Sequence, residues 1–280
     1  MVVPVNSLEI NEKDIVINGT KYHYFEVPNI GKPKIFMVHG LMVDSHCFLG
    51  IIQYLKDNYH IYSIDLKGHG KSDNGKDYYS SYTPTIIADE FYQFYKEVIK
   101  ENFTYIGYSL GGQYGIAYAG KYQDTLKSLI IIDSAPSIST RGSFSIMFAN
   151  TVTPKVFKDK NHVINFYDKS IKGLGEYMTN YCVIENSKGY TLRFDKNIAP
   201  PTVIGMIRRD RELWTHFSKI NIPFLLIKAK KSEIINNRIV MLMKQINKNI
   251  NTVEVDGKHT FVFTNPEKIA EQIINFLKDK

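Results

Sequence analysis

Apolar residues in the first half of the chain fall into short runs whose period switches between two and about three and a half residues. Residues 20–27 alternate polar with aromatic or aliphatic side chains directly after Asn18-Gly19, a turn dipeptide, so an early hairpin is expected there. Residues 34–38 (KIFMV) form an apolar run that stops at His39-Gly40. Helical spacing follows at 48–55, and a second strand at 60–64 stops at Asp65. Residues 86–100 read as a long amphipathic helix, 103–107 as a strand, 111–119 as a small-residue helix, and 129–132 as a fully apolar strand closed by Asp133. Strands that alternate with helices, several of them apolar throughout, predict a mainly parallel sheet covered on both faces.

The rhythm stops at about residue 137. Helical pieces at 161–172 and 202–214 follow, with no comparable run of strands, and Pro200-Pro201 breaks the segment. Strand and helix signals resume with a strand at 223–229, a helix at 233–245, a strand at 252–255 and a closing helix at 266–277. The expected organisation is an α/β core formed by residues 1–136 and 218–280, with a helical cap inserted as residues 137–217.

Composition narrows the function classes. The formal net charge is +7 over 280 residues, but the basic residues are mostly Lys and scattered. The densest groups, Lys228-Lys230-Lys231 and Arg208-Arg209-Arg211, are not polybasic blocks, which argues against a nucleic-acid partner. No run of 18 apolar residues is present, so no membrane span is expected. Residues 1–10 lack a basic region followed by an apolar stretch, and the default expectation is a cytoplasmic protein, monomeric or homodimeric. Cys47 and Cys182 lack metal-ligand spacing and read as free thiols of a reducing compartment; no motif for a metal or organic cofactor is found.

The chemistry concentrates at Gly107-Tyr108-Ser109-Leu110-Gly111. This G-x-S-x-G follows an apolar strand and opens a helix, the setting of a nucleophile elbow, in which a tight turn presents the serine at the carboxyl edge of the sheet. A serine hydroxyl needs a base held by a third group. Three histidines follow Ser109: His162 and His216 fall in the insertion, whereas His259 sits in a loop between the last strand and the last helix, which brings it over the same edge. Two carboxylates are placed to hold His259, namely Glu233 after the penultimate strand and Asp133 at the end of the strand following the nucleophile. An oxyanion hole would take the amide of Leu110 and one from the loop after His39-Gly40, that of Leu41. His39 itself reads as loop-shaping.

Together these residues resemble the α/β-hydrolase superfamily, in its branch of capped serine esterases and lactonases. The resemblance runs from about residue 15 to 277 through His39-Gly40, the stretch Asp65-Leu66-Lys67-Gly68-His69-Gly70-Lys71-Ser72-Asp73, GYSLGG at 107–112, Ser232-Glu233, and GKHTFVFTNPEKIAEQIINFL around His259. Lys67 stands where the family usually has Arg, which would alter that loop's bracing. The resemblance implies an eight-stranded, mostly parallel sheet with helices on both faces, and Ser109, Glu233 and His259 as a triad. Glu233 is favoured because the family usually carries its acid after the penultimate strand, although more often as Asp. The implied activity is cleavage of a carboxylic ester or related acyl bond of a small substrate through an acyl-enzyme, without a cofactor. The same constellation serves thioesterases, acyltransferases and carbon–carbon bond hydrolases, and would also suit a ligand receptor with little turnover. In the insertion, Phe144, Met147, Phe148, Phe166, Tyr167, Tyr177, Met178 and Tyr181 either line an acyl pocket or pack the cap on the sheet. Arg208, Arg209 and Arg211 offer either a carboxylate site or a solvated face.

Overall fold

The computed structural model describes residues 8–278; residues 1–7 of the stretch read for a leader lie outside them. β1 (Asn11–Ile17) and β2 (Thr20–Val27) form the expected antiparallel hairpin. Asn18 and Gly19 join them at φ 51° and 76°, the left-handed pair that a two-residue turn of this hand requires. β3 (Lys34–Val38), α1 (Leu49–Leu55), β4 (His60–Ile64), α2 (Pro84–Phe94), β5 (Phe103–Tyr108), α3 (Leu110–Tyr122) and β6 (Leu126–Ile132) follow. The intervening segment holds α4 (Thr140–Val152), β7 (Val156–Phe157), α5 (Lys160–Asp168), α6 (Leu174–Tyr177), β8 (Val183–Asn186), β9 (Gly189–Leu192), α7 (Ala199–Arg208) and α8 (Asp210–Ser218). β10 (Phe224–Ala229), α9 (Asn237–Ile246), β11 (Ile250–Val255), α10 (Phe261–Thr264) and α11 (Pro266–Lys278) complete the chain.

Eight strands make one sheet in the order β1-β2-β4-β3-β5-β6-β10-β11. Pairing is antiparallel between β1, β2 and β4 and parallel from β4 to β11, as an α/β-hydrolase sheet requires. The central strands read as unbroken apolar runs because both faces are covered. In β3, Phe36 and Val38 enter the core under α2 and α3, while Ile35 and Met37 enter the core under α1 and α11; Leu129/Ile131 and Ile130/Ile132 of β6 divide in the same way. From β3 the chain goes outward to β4, then returns past β3 to β5. The carboxyl ends of β3 and β5 therefore flank the point where strand order reverses, where open α/β sheets leave a crevice.

The insertion departs from the expectation in three respects. It contains a three-stranded antiparallel sheet, β7-β9-β8, whose strands of two to four residues are too short to show a period. Pro200 and Pro201 do not break the segment but begin α7, where the amide that proline lacks would have had no intrahelical acceptor. Finally, α8 packs on α3 and buries Leu213 and Phe217 in the sheet's own core, so the end of 137–217 belongs to the layer beneath it.

Candidate active site

The turn from β5 into α3 places Ser109 at φ 53° and ψ −116°, a left-handed conformation that a non-glycine residue adopts at a cost. The flanking glycines permit it by close approach. A Cβ on Gly107 would lie 2.4 Å from the Gly111 carbonyl oxygen, and one on Gly111 would lie 2.1 Å from that of Val38. Ser109 occupies the N-cap position of α3, yet its hydroxyl does not cap the helix. Instead it lies 2.9 Å from Nε2 of His259. Nδ1 of His259 lies 2.7 Å from Oδ2 of Asp133. With Asp133 as a carboxylate, Nδ1–H donates to it and Nε2 is left to accept the serine proton.

Asp133 is fully buried, at φ 48°, immediately after β6. Its Oδ1 accepts from the Ala229 amide at 3.0 Å, and its Oδ2 also accepts from the Ser232 hydroxyl at 2.8 Å. His259 is steadied from the other side. Tyr108 stacks on its ring at 5.1 Å between centroids and donates its hydroxyl to the His259 carbonyl at 3.0 Å. The His259 side chain remains 22% exposed, so a substrate can reach a nitrogen whose supporting carboxylate water cannot.

The structure corrects the placement expected for Glu233. After β10 the chain turns through amide bonds from Lys230 to Val255 and from Lys231 to Gly257. That turn aims Ser232 at Asp133 and carries Glu233 away to α4, where its carboxylate accepts from Arg141 at 3.0 Å and Ser145 at 2.9 Å. Of the two residues in the pair, it is the serine that meets the site. Glu233 joins the core to the insertion.

The first of the two expected amide donors directly follows Ser109. Leu110 is the first residue of α3, so its N–H has no acceptor within the helix. The next amide, of Gly111, donates to the His39 carbonyl at 3.1 Å and draws the loop after β3 against the elbow. A Cβ on Gly40 would come within 2.9 Å of the Ser109 Cβ, so the loop after β3 passes directly against the elbow. His39 shapes this loop, as its sequence position suggests. Its Nδ1 donates to the Gly40 carbonyl at 2.6 Å, and its Nε2 accepts from the Leu66 amide at 2.9 Å. Burial lowers its pKa, and burial beside His39 lowers that of His69 to about 3, so both rings are neutral near pH 7.

Lys67 braces the Asp65–Ser72 loop differently from a forked guanidinium. Its ammonium lies 2.6 Å from Oε1 of Glu90, both side chains are almost fully buried, and Tyr22 donates to the other carboxylate oxygen at 2.5 Å. Asp65 accepts from the amides of Ser45 and Lys71. The loop is closed by a buried ion pair and two backbone anchors.

The apolar side chains of the insertion fall into a packed group and an exposed one. Tyr177 and Met178 are buried in the core, with Phe166, Tyr167 and Tyr181 packed against it; Tyr181 also stacks on His46 at 4.3 Å. Tyr177 donates its hydroxyl to the buried Asp44 at 2.7 Å, fastening the insertion to the loop after β3. Phe144 and Phe148 are exposed, and Phe144 and Met147 edge a groove between α4 and α7. Arg208 and Arg211 are exposed, while Arg209 turns inward. His162 is exposed on α5, and His216 lies on α8 beside α3. Cys47 and Cys182 are buried free thiols whose pKa burial pushes well up. Among the described residues, no group of three His, Cys, Asp or Glu is arranged to hold a metal, and no helix is long and apolar enough to cross a membrane.

Residues 31–259 match the family model described as serine aminopeptidase, S33. The 2-(acetamidomethylene)succinate hydrolase of Mesorhizobium japonicum is 20% identical over 258 residues, covering 88% of each chain. The pimeloyl-[acyl-carrier protein] methyl ester esterase of Wigglesworthia glossinidia brevipalpis is 24% identical over 264 residues, covering 92% of this chain and 98% of that one. Among solved structures, E-2-(acetamidomethylene)succinate hydrolase superposes with a TM-score of 0.86 at 20% identity, over 96% of this chain and 100% of that one.

Proposed function

The chain belongs to the serine aminopeptidase S33 family of α/β-hydrolases, and we propose that it is a serine hydrolase cleaving a carboxylic ester of a small substrate through an acyl-enzyme. One observation carries the reading: an unbroken line from the Ser109 hydroxyl through His259 to the buried Asp133, with both hydrogen bonds under 3 Å, on a strained elbow. Ser109 Oγ attacks the carbonyl carbon as His259 Nε2 takes its proton. The carbonyl oxygen becomes an oxyanion and accepts from the amides of Leu110 and Leu41, which need no reorientation as charge develops. Asp133 holds the imidazole tautomer and stabilises the imidazolium. Collapse of the intermediate breaks the bond to the leaving alcohol, which receives the proton from His259. Water then gives a proton to His259 and attacks the acyl carbon, and the proton returns to Ser109 as the acid leaves. The part of residues 137–217 that precedes α8 acts as a cap over the site.

The test is turnover of p-nitrophenyl acetate, butyrate and octanoate, with an aminoacyl p-nitroanilide for comparison, by the wild type and by Ser109→Ala. Ester hydrolysis that disappears in the variant is expected. Turnover of the anilide alone would move the reading to a peptidase. Equal rates with both proteins would leave a binding protein on a hydrolase fold.

A further inference from the structure

Beside the elbow, between α3 and α7, lies a cavity of about 20 Å³, space for a single water-sized group. Leu110 forms part of its wall, together with Gln113 and Tyr114 one turn further along α3 and with Thr202, Met206 and Arg209 across from α7. Two of these side chains carry polar atoms that are buried and take no hydrogen bond from any described residue. They are Oε1 of Gln113, in a residue 1% exposed, and Oγ1 of Thr202, in a residue 7% exposed. The Gln113 amide is oriented: its Nε2 donates to the Ala135 carbonyl at 3.1 Å, so the unpartnered atom is an acceptor. Leaving such atoms unmet is costly, so each calls for a partner.

We propose that this cavity is a subsite for a hydroxyl group carried by the substrate close to its scissile ester. The lining selects among small polar groups. A carboxylate has no proton to give the Gln113 oxygen, and an ammonium is repelled by Arg209, whose guanidinium the Tyr79 carbonyl holds at 3.2 Å. A hydroxyl both donates to Gln113 and accepts from Thr202, and it is the size of the space. Gln113 lies four residues beyond Ser109, roughly 6 Å along the helix, which suits a hydroxyl three or four bonds from the carbonyl carbon. The subsite rests on the hydrolase reading above and narrows it to hydroxylated esters.

The experiment compares kcat/KM in two pairs, 2-hydroxyethyl against propyl butyrate, and propyl 3-hydroxybutyrate against propyl butyrate. The first pair places the hydroxyl on the leaving alcohol, the second on the acyl chain. The wild type is expected to favour the hydroxylated ester about tenfold in one pair, and the pair that does so identifies the side. Thr202→Val should bring that ratio close to one, and Thr202→Ser should restore it. A merely structural role for Thr202 would lower both members of a pair together and leave the ratio unchanged. Gln113→Leu, checked by thermal melt, provides a second removal of the site. Wild-type ratios near one in both pairs, or a ratio that survives both Thr202→Val and Gln113→Leu, overturn the subsite while leaving the esterase reading intact. No hydrolysis of any ester overturns both.

Discussion

Replacing Asp133 by Asn exchanges one carboxylate oxygen for an NH2 group with almost no change in volume. Asn tolerates the left-handed backbone at this position, so the elbow and the β6 turn should survive. The amide oxygen can keep the Ala229 bond, and the amide nitrogen then takes the place of Oδ2, where the Ser232 hydroxyl loses its acceptor and could only be donated to. That nitrogen cannot accept from His259. Nδ1 must lose its proton to accept from the new amide, and the ring proton moves to Nε2, facing the Ser109 hydroxyl it should deprotonate. An equivalent tautomer swap in another serine hydrolase costs roughly 10⁴-fold in kcat, or about 5 kcal/mol of barrier. The same loss is expected here, with a fall in stability of only about 1–3 kcal/mol from the weakened buried bonds. Glu233→Gln, by contrast, alters a partly exposed contact with Arg141 and Ser145 and should leave kcat within about threefold. Stopped-time ester hydrolysis and thermal melts on both variants decide the point. A folded Asp133→Asn protein retaining more than a tenth of wild-type kcat would refute the reasoning, as would an inactive, folded Glu233→Gln.

His259→Ala should lose several orders of magnitude in kcat with its fold intact by circular dichroism, whereas His162→Ala and His216→Ala should retain activity. Lys67→Met should strand the buried Glu90 carboxylate and cost about 3–5 kcal/mol in urea unfolding; a loss below 1 kcal/mol would show that the pair does not brace the loop. Burial pushes the Asp44 pKa up, but bonds from His46 and Tyr177 outweigh it and hold it below the ordinary carboxylate range; burial likewise pulls His46 down, but Asp44 outweighs it and raises His46. Stability from Asp44 is lost as pH falls through its lowered value, and stability from His46 is lost as pH rises through its raised one. The melting-temperature difference between wild type and Asp44→Asn should therefore be largest in mildly acidic solution and narrow on both sides; a difference that does not change with pH would contradict the pairing.

The parallel sheet was legible because both faces of its strands are buried, which turns β3, β5, β6 and β10 into continuous apolar runs. The elbow was legible because its glycines are sterically obligatory. The choice between two acids was not, since it depends on where one turn after β10 aims consecutive side chains. Sequence places Ser232 and Glu233 together; only the pairing of Lys230 and Lys231 with the β11 end shows that the serine faces inward. Tyr108 as a support for His259 was also hidden, because its partner lies 151 residues away. The small β7-β9-β8 sheet leaves no periodic trace, and the position of α8 beneath α3 depends on tertiary packing. Asp133 carried one readable sign, an acid at the carboxyl end of a central strand.

The central claim is that Ser109 acts as a nucleophile through the His259–Asp133 line. The most direct measurement is intact-protein and peptide mass spectrometry after exposure to a fluorophosphonate, with Asp133→Asn and Ser109→Ala run beside the wild type. One adduct is expected, on Ser109, forming rapidly in the wild type, far more slowly in Asp133→Asn, and not at all in Ser109→Ala. An adduct on any other residue, or labelling at the wild-type rate without the Asp133 carboxylate, would contradict it.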